Sequence, residues 1–356
     1  MDDRKEMRLL GEFYKKILHA NDSLENARKA NKYCDFLRNK WLGKKTKMRS
    51  EYIERLDGTT LRICIVTAKE ETSNENKTGV LWLHGGGYTT GLPEQDFIYA
   101  DMFVEDDSAV MILPDYKKST EAPYPSQLED AYLTLVWMIV NAERLKINPN
   151  QLFVGGESAG GGLCAALTLF ARDEGEINLA FQMPLYPMLD DRHTSTNKDN
   201  QSPIWDSRLN EASWQIYKRG LTVVDKYCAP ARETNYKNLP PAYSFVGSEE
   251  PFLAETKTYM DNLYKAGVPV MFREYEGCYH AFDLLAYNTK VSKHVRKLTK
   301  EAFKYAQANF FASQDDTREN REIIKSIEDS NEYQSNQELK DIDDLLEGID
   351  IHTFDK

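Results

Sequence analysis

Histidine is scarce in this chain, with six in 356 residues, so any imidazole chemistry has few candidates. Cysteine is scarcer still. The five thiols, Cys34, Cys64, Cys164, Cys228 and Cys278, are scattered and odd in number, without C-x-x-C spacing. That excludes a disulfide framework and a zinc ribbon, and no other metal-ligand spacing is present, so neither metal nor cofactor is expected. No apolar stretch is long enough to cross a bilayer, and the N-terminal segment has no apolar signal core. These absences lead to the expectation of reduced thiols in a cytoplasmic protein. Basic residues are outnumbered, 45 against 57 acidic, for a net charge of −12, which argues against nucleic acid as a partner. Internal repeats are absent as well.

What is present is an alternation of short apolar runs with helical patterns. Runs at 61–67, 79–83, 109–114, 152–155, 179–186, 242–247 and 268–275 read as core strands. Residues 130–144 and 251–266 read as helices, the second stopped by Gly267. The expected fold class is α/β, with a mostly parallel central sheet flanked by crossover helices. Residues 1–48 are charged and helical in pattern, with apolar positions at Leu9, Phe13, Ile17, Leu24, Tyr33 and Leu37. A surface helix pair with a partner is one reading of that segment. Residues 49–312 form the α/β unit, and 313–356 an acidic tail. After Ser313, fourteen acidic and five basic residues carry nine of the twelve net negative charges. Such a composition buries too little surface to order itself. Its apolar cluster Ile342, Leu345, Leu346, Ile349, Ile351 and Phe354 suits one short amphipathic helix, docked on this or a neighbouring subunit. Homo-oligomerisation is left open.

The pentapeptide Gly156-Glu157-Ser158-Ala159-Gly160 lies between the apolar run 152–154 and the small-residue run 161–167. That context is strand, sharp turn, helix. Glycine at both ends allows a strained serine to be lifted toward a helix N-terminus, although small residues also serve tight strand–helix packing. A second motif, His84-Gly85-Gly86-Gly87-Tyr88, follows the apolar run 80–83. Bare glycine backbone lets a substrate carbonyl approach amide N–H groups, as an oxyanion hole requires; the plainer reading is a flexible loop. His84 is either a base or, in the better reading, a brace for the turn.

A serine nucleophile needs a base. His19 lies in the helical N-terminal segment, His193 in a polar loop, His294 on a basic helix face and His352 in the tail. His280 follows the last apolar strand run and the turn 276–279, where the base of such a hydrolase belongs; a buried aromatic-like role beside Tyr279 and Phe282 is the alternative. The strand run 242–247 ends in Ser248-Glu249-Glu250-Pro251. A carboxylate there would orient the imidazole. Glu250 is the first choice and Glu249 the reserve, and either would also favour the following helix N-terminus by its charge. Cys278 lies near His280 but lacks a strand–helix turn like that of Ser158.

Together these motifs resemble the hormone-sensitive-lipase-like family of α/β-hydrolase esterases, over about residues 50–311. The resemblance extends to Asp115-Tyr116, Ala122-Pro123-Tyr124-Pro125, Glu129-Asp130, the stretch 227–232 and Leu239-Pro240-Pro241. It implies an α/β-hydrolase fold, a Ser158–Glu250–His280 triad, and an oxyanion hole from the Gly86, Gly87 and Ala159 amides. A helical cap is implied from the N-terminal segment and an insertion at about 189–226. Within it Trp205 and Trp214, with Tyr88 below, are candidates to line a substrate pocket, or else pack the cap to the core. The implied activity is hydrolysis of short-to-medium carboxylic esters through an acyl-enzyme, with a small-molecule ester as the partner. An amidase or peptidase on the same scaffold is the nearest rival, and a non-catalytic binding protein a more distant one. Two departures stand out. Glu250 occupies the family's usual aspartate position, and Lys117-Lys118-Ser119 replaces Arg-Leu-Ala, which points to an altered surface loop.

Overall fold

The computed structural model describes residues 23–34, 38–72 and 76–314, together with Met7. The positions Leu9, Phe13, Ile17 and Leu37, with His19, and the tail after Gln314 with His352, lie outside the described residues. Eight strands form one sheet: β1 (Thr46–Glu54), β2 (Thr60–Ala68), β3 (Lys77–Leu83), β4 (Ala109–Pro114), β5 (Ile147–Glu157), β6 (Phe181–Leu185), β7 (Ala242–Gly247) and β8 (Val270–Tyr275). Their spatial order is β1-β2-β4-β3-β5-β6-β7-β8. β1 and β2 pair antiparallel, as do β2 and β4, and every later pairing is parallel.

The sheet separates two apolar layers because side chains alternate along a strand. In β3, Leu81 and Leu83 join one core while Val80 and Trp82 join the other; in β5, Leu152 and Val154 oppose Phe153. The first core is closed by α3 (Ser126–Val140), the short α4 (Ala142–Leu145) after it and α5 (Ala159–Glu174), and the second by α2 (Phe97–Val104), the short α8 (Phe282–Leu285) and α9 (Lys290–Asn309). Both faces of the central strands are therefore dry. That is why β3 is buried along its whole length and reads from Val80 to Leu83 as a continuous apolar run. α7 (Leu253–Lys265) ends at Ala266, and Gly267 follows at φ +84°, the left-handed stop expected from the sequence.

All seven expected strand runs are present. β1 was not among them. Its sequence, TKMRSEYIE, is mostly polar because an edge strand faces solvent on one side, and charged side chains there discourage pairing with other chains. Full nine-residue pairing with β2, from Thr46↔Ala68 to Glu54↔Thr60, makes it a strand. Residues 46–48, expected in the N-terminal helical segment, are thus part of the sheet. The other described element of that segment is the helix α1 (Leu24–Cys34).

Two local features place the loops that matter. At the end of β5 the chain turns so tightly that a Cβ on Gly160 would lie 1.9 Å from the Leu83 carbonyl oxygen, and one on Gly156 2.4 Å from the same atom. Behind the loop after β8, the Tyr99 hydroxyl donates to Asp283 Oδ2 at 2.7 Å and lies 2.9 Å from the Tyr186 hydroxyl. Burial raises the Asp283 carboxyl to about 6.

Gly160→Ala must displace backbone, and should lower stability by roughly 1–3 kcal/mol in a urea titration, whereas Gly175, with nothing near its Cβ position, has only its φ of +72° to lose. Between about pH 4 and 6 the folded chain keeps a proton on Asp283 that the unfolded chain has released, so this group costs nothing in acid, and its destabilising effect grows over that interval and is complete above about pH 6. Asp283→Asn should remove that loss. Its stability relative to the native chain should improve by roughly 1.4 kcal/mol between pH 5 and pH 8, and an unchanged difference would refute the buried-carboxyl cause.

Candidate active site

β5 delivers Ser158 into a turn with φ 60° and ψ −121°, a conformation costing about 1–3 kcal/mol for a residue with a side chain. The surroundings hold it there. The Ser158 N–H donates to the Leu185 carbonyl at 3.0 Å, and its own carbonyl accepts from the Gly162 and Met188 N–H groups at 3.0 and 2.9 Å. Ser158 stands at the N-cap of α5, where unpaired amides and the helix dipole favour developing negative charge.

His280 reaches Ser158 from the loop after β8. Its Nε2 lies 2.8 Å from Ser158 Oγ, and its Nδ1 lies 2.5 Å from Glu250 Oε2. A carboxylate only accepts, so Nδ1–H is the donor to Glu250, and Nε2 is left to accept the serine hydroxyl proton. Glu250 is fully buried, and its other oxygen accepts the Gly247 N–H at 2.9 Å. Glu249 is exposed, and its Oε1 accepts from the Ser248 hydroxyl at 3.2 Å. Of the two adjacent carboxylates, Glu250 meets His280. One oxygen facing the strand end and one facing the imidazole accommodate its extra methylene.

The glycine loop after β3 lies beside this chain of bonds. Gly86 and Gly87 have φ +122° and +61°, and a Cβ on Gly86 would sit 2.3 Å from the Thr90 carbonyl. A Cβ on Gly85 would sit 3.2 Å from Ser158 Cβ, so the loop touches the serine. No acceptor among the described residues takes the N–H of Gly86, Gly87 or Ala159. His84 acts within the loop. Its Nδ1 lies 2.8 Å from the Gly85 carbonyl, its ring stacks on Tyr116 at 4.1 Å, and burial, then the Lys118 ammonium, lowers its pKa well below the usual value.

Lys118 and Ser119 correct the expectation of a surface loop, for both are buried. Lys118 Nζ donates to Asp115 Oδ1 at 3.0 Å and to the Tyr116 carbonyl at 2.6 Å. Ser119 donates to the Tyr88 carbonyl from its hydroxyl at 3.0 Å and its amide at 2.8 Å. Sequence reading missed these braces because a Lys-Lys-Ser triplet carries no burial signal.

The segment after β6 crosses above the serine. A Cβ on Gly87 would meet Trp205 at 2.4 Å and Ser213 Oγ at 2.8 Å, and the Trp205 ring centre lies 6.2 Å from that of His280. On α6 (Ser207–Tyr217), Tyr217 stacks on Tyr88 at 3.9 Å, and Trp214 lies 6.0 Å from the same ring. Trp205 therefore borders the reacting groups, while Tyr88 and Trp214 join the glycine loop to the covering helix. α1 also reaches the residues just after the glycines, where Asn31 Nδ2 donates to the Thr89 carbonyl at 2.9 Å. A cavity of about 380 Å³ lies behind the loop, bounded by Arg38, Arg62, Leu92, Asp115 and Lys118. It touches neither Ser158 nor His280, and its Arg38, Arg62 and Lys118 all pair with Asp115.

Cys278 is no competitor. Burial, and then the Glu250 charge, pushes its thiol up to about 12. Cys64, Cys164, Cys228 and Cys278 are all buried free thiols. Among the described residues no cluster of His, Cys, Asp and Glu has metal-binding geometry, and no helix is long and apolar enough to cross a membrane.

The alpha/beta hydrolase fold family matches residues 80–284, which span both glycine motifs, Glu250 and His280. The chain is 30% identical over 202 residues to Carboxylesterase NlhH of Mycobacterium tuberculosis, covering 55% of this chain and 63% of that protein. It is 27% identical over 232 residues to an arylesterase of Saccharolobus solfataricus, covering 64% and 74% respectively. Among solved structures, Bacterial Heroin Esterase superposes with a TM-score of 0.74 at 28% identity, over 82% of this chain and 95% of that one. The chain thus spans somewhat under two thirds of the mycobacterial carboxylesterase it matches. With its parallel sheet, its serine at a strand–helix turn and a family match over more than half its length, this chain belongs to the alpha/beta hydrolase fold family.

Proposed function

We propose that the protein is a carboxylic-ester hydrolase, acting on short-to-medium acyl esters through Ser158, His280 and Glu250. The observation that carries this is the continuous chain of bonds from Glu250 Oε2 through His280 to Ser158 Oγ, at 2.5 and 2.8 Å. The names of the relatives, carboxylesterase and arylesterase, support the ester as substrate.

In this reading Ser158 Oγ attacks the ester carbonyl as its proton passes to His280 Nε2. Glu250 stabilises the imidazolium and keeps Nε2 aimed at the serine. Charge that develops on the carbonyl oxygen is taken by the Gly86, Gly87 and Ala159 amides, each donor worth on the order of a hundredfold or more in rate. The imidazolium protonates the leaving alcohol, and water then opens the acyl-enzyme with His280 again as base. The covering segment 189–226 and α1 act as a cap. Trp205 bounds the pocket beside His280, and Tyr88 and Trp214 fix the cap's position over the glycine loop.

Ser158→Ala should reduce hydrolysis of short p-nitrophenyl acyl esters by a factor on the order of 10⁴ or more, and undiminished turnover would sink the assignment. A parallel rate on the matched anilide separates an esterase from an amidase. Glu250→Gln leaves the carboxyl shape but removes the charge that holds the tautomer, and should cost on the order of 10³-fold in kcat. Glu249→Gln should change kcat by less than about twofold. Equal losses in the two variants would contradict the choice between them.

A further inference from the structure

Glu157 sits between the serine and the sheet, and none of the proposed chemical steps uses it. It is only 3% exposed. Its Oε1 accepts the Gly85 N–H at 2.6 Å and Gln95 Nε2–H at 3.2 Å, and its Oε2 accepts Trp82 Nε1–H at 3.1 Å. It thereby ties the first glycine of the loop to the residue next to Ser158. Asp96 ends the short turn Pro93–Asp96 and is fully buried. Among the described residues, no N–H or O–H donates to either of its oxygens. The group its carboxyl meets is that of Glu157.

Two carboxylates are both acceptors, so they bond only if one keeps a proton, and two buried negative charges in contact repel strongly. The donors decide where that proton sits. Three reach Glu157 and none reaches Asp96, so the charge is held on Glu157 and the proton on Asp96. Burial raises both groups in agreement, Glu157 to about 7 and Asp96 well above the carboxylate range. The surrounding groups add no countercharge. Tyr99, Tyr116 and Tyr186 are buried phenols held neutral, and Glu94 is bound to Arg62 by two bonds at 2.8 and 3.0 Å.

We propose that Asp96 and Glu157 form a one-proton carboxyl pair that fixes the glycine loop against the serine turn. In this pair Asp96 is the neutral donor and Glu157 the acceptor that holds the Gly85 amide. This rests on the oxyanion role proposed above for Gly86 and Gly87. Both are positioning residues, for neither touches substrate. Gly85 immediately precedes the two amides that must meet the oxyanion, so a shift at Gly85 carries directly into their aim. Amides that bind charge present only in the transition state affect kcat and leave KM largely unchanged.

The test compares Asp96→Asn with Asp96→Leu in the full-length protein, using p-nitrophenyl butyrate turnover. Affinity is measured in parallel for an alkyl trifluoromethyl ketone, a probe that adds to Ser158 as a tetrahedral oxyanion. The asparagine amide supplies the neutral donor, so Asp96→Asn should keep kcat within about threefold. Asp96→Leu should lose about tenfold or more in kcat with KM within about threefold, and should lose ketone affinity to match. A larger loss in Asp96→Asn, or full kcat in Asp96→Leu, overturns the pair. If Asp96→Leu does not fold, the kcat of Asp96→Asn decides alone. An unmodified protein that hydrolyses no ester defeats the proposed function instead, and the two failures are therefore distinct.

Discussion

The close approach of β3 and α5 at Gly156 and Gly160 governs the rest of this molecule. Leu83 carbonyl oxygen occupies the space where a Cβ on either glycine would stand. With the helix drawn in so far, the residue between strand and helix has no relaxed conformation available, and Ser158 adopts φ 60°. Its strain is sustained by three backbone hydrogen bonds and by burial. A looser junction would relieve the serine and withdraw its hydroxyl from His280.

From that junction the site is assembled by strand ends. β3, β5, β7 and β8 are parallel, so their C-terminal ends lie along one edge and release their loops toward the same place. The glycine loop comes from β3, the serine from β5, Glu250 from β7 and His280 from β8. Residues 122 positions apart in sequence thereby stand 2.8 Å apart. Burial sharpens each contact, because a carboxylate with no water beside it must bond what the protein offers. Glu250 is offered the Gly247 amide and His280, and Glu157 the Gly85 amide, an indole and a glutamine. The same enclosure raises Asp283, whose bonding partner is a tyrosine hydroxyl and not a cation.

The Lys117-Lys118-Ser119 departure illustrates how a polar triplet becomes structural. Lys118 pairs with Asp115, which also meets Arg62, and Ser119 grips the loop at Tyr88. The family resemblance marked this segment as different, but its effect is to brace the glycine loop at Tyr88, at the other end from the Gly85 amide that Glu157 holds. Two buried polar arrangements therefore clamp one loop, one through its first glycine and one through the residue after its last.

The sequence alone determined the strand runs, the two glycine motifs, and the chain order of Ser158, Glu250 and His280 after their strands, because apolar periodicity and glycine spacing are local signals. It also singled out His280 among six histidines by its place after the last strand. The polar edge strand β1 was hidden, since its only strand signal is its pairing with β2. The sequence offered both Glu249 and Glu250, and only tertiary structure separated them, by exposing one and turning the other toward His280. Neighbouring residues in a loop share every local property, and direction is set by what packs around them. The Asp96–Glu157 contact is of the same kind. Sixty-one positions separate the two acids, and nothing in either neighbourhood signals a partner. Their meeting depends on the path of the glycine loop, which the sheet and the junction at Gly160 impose.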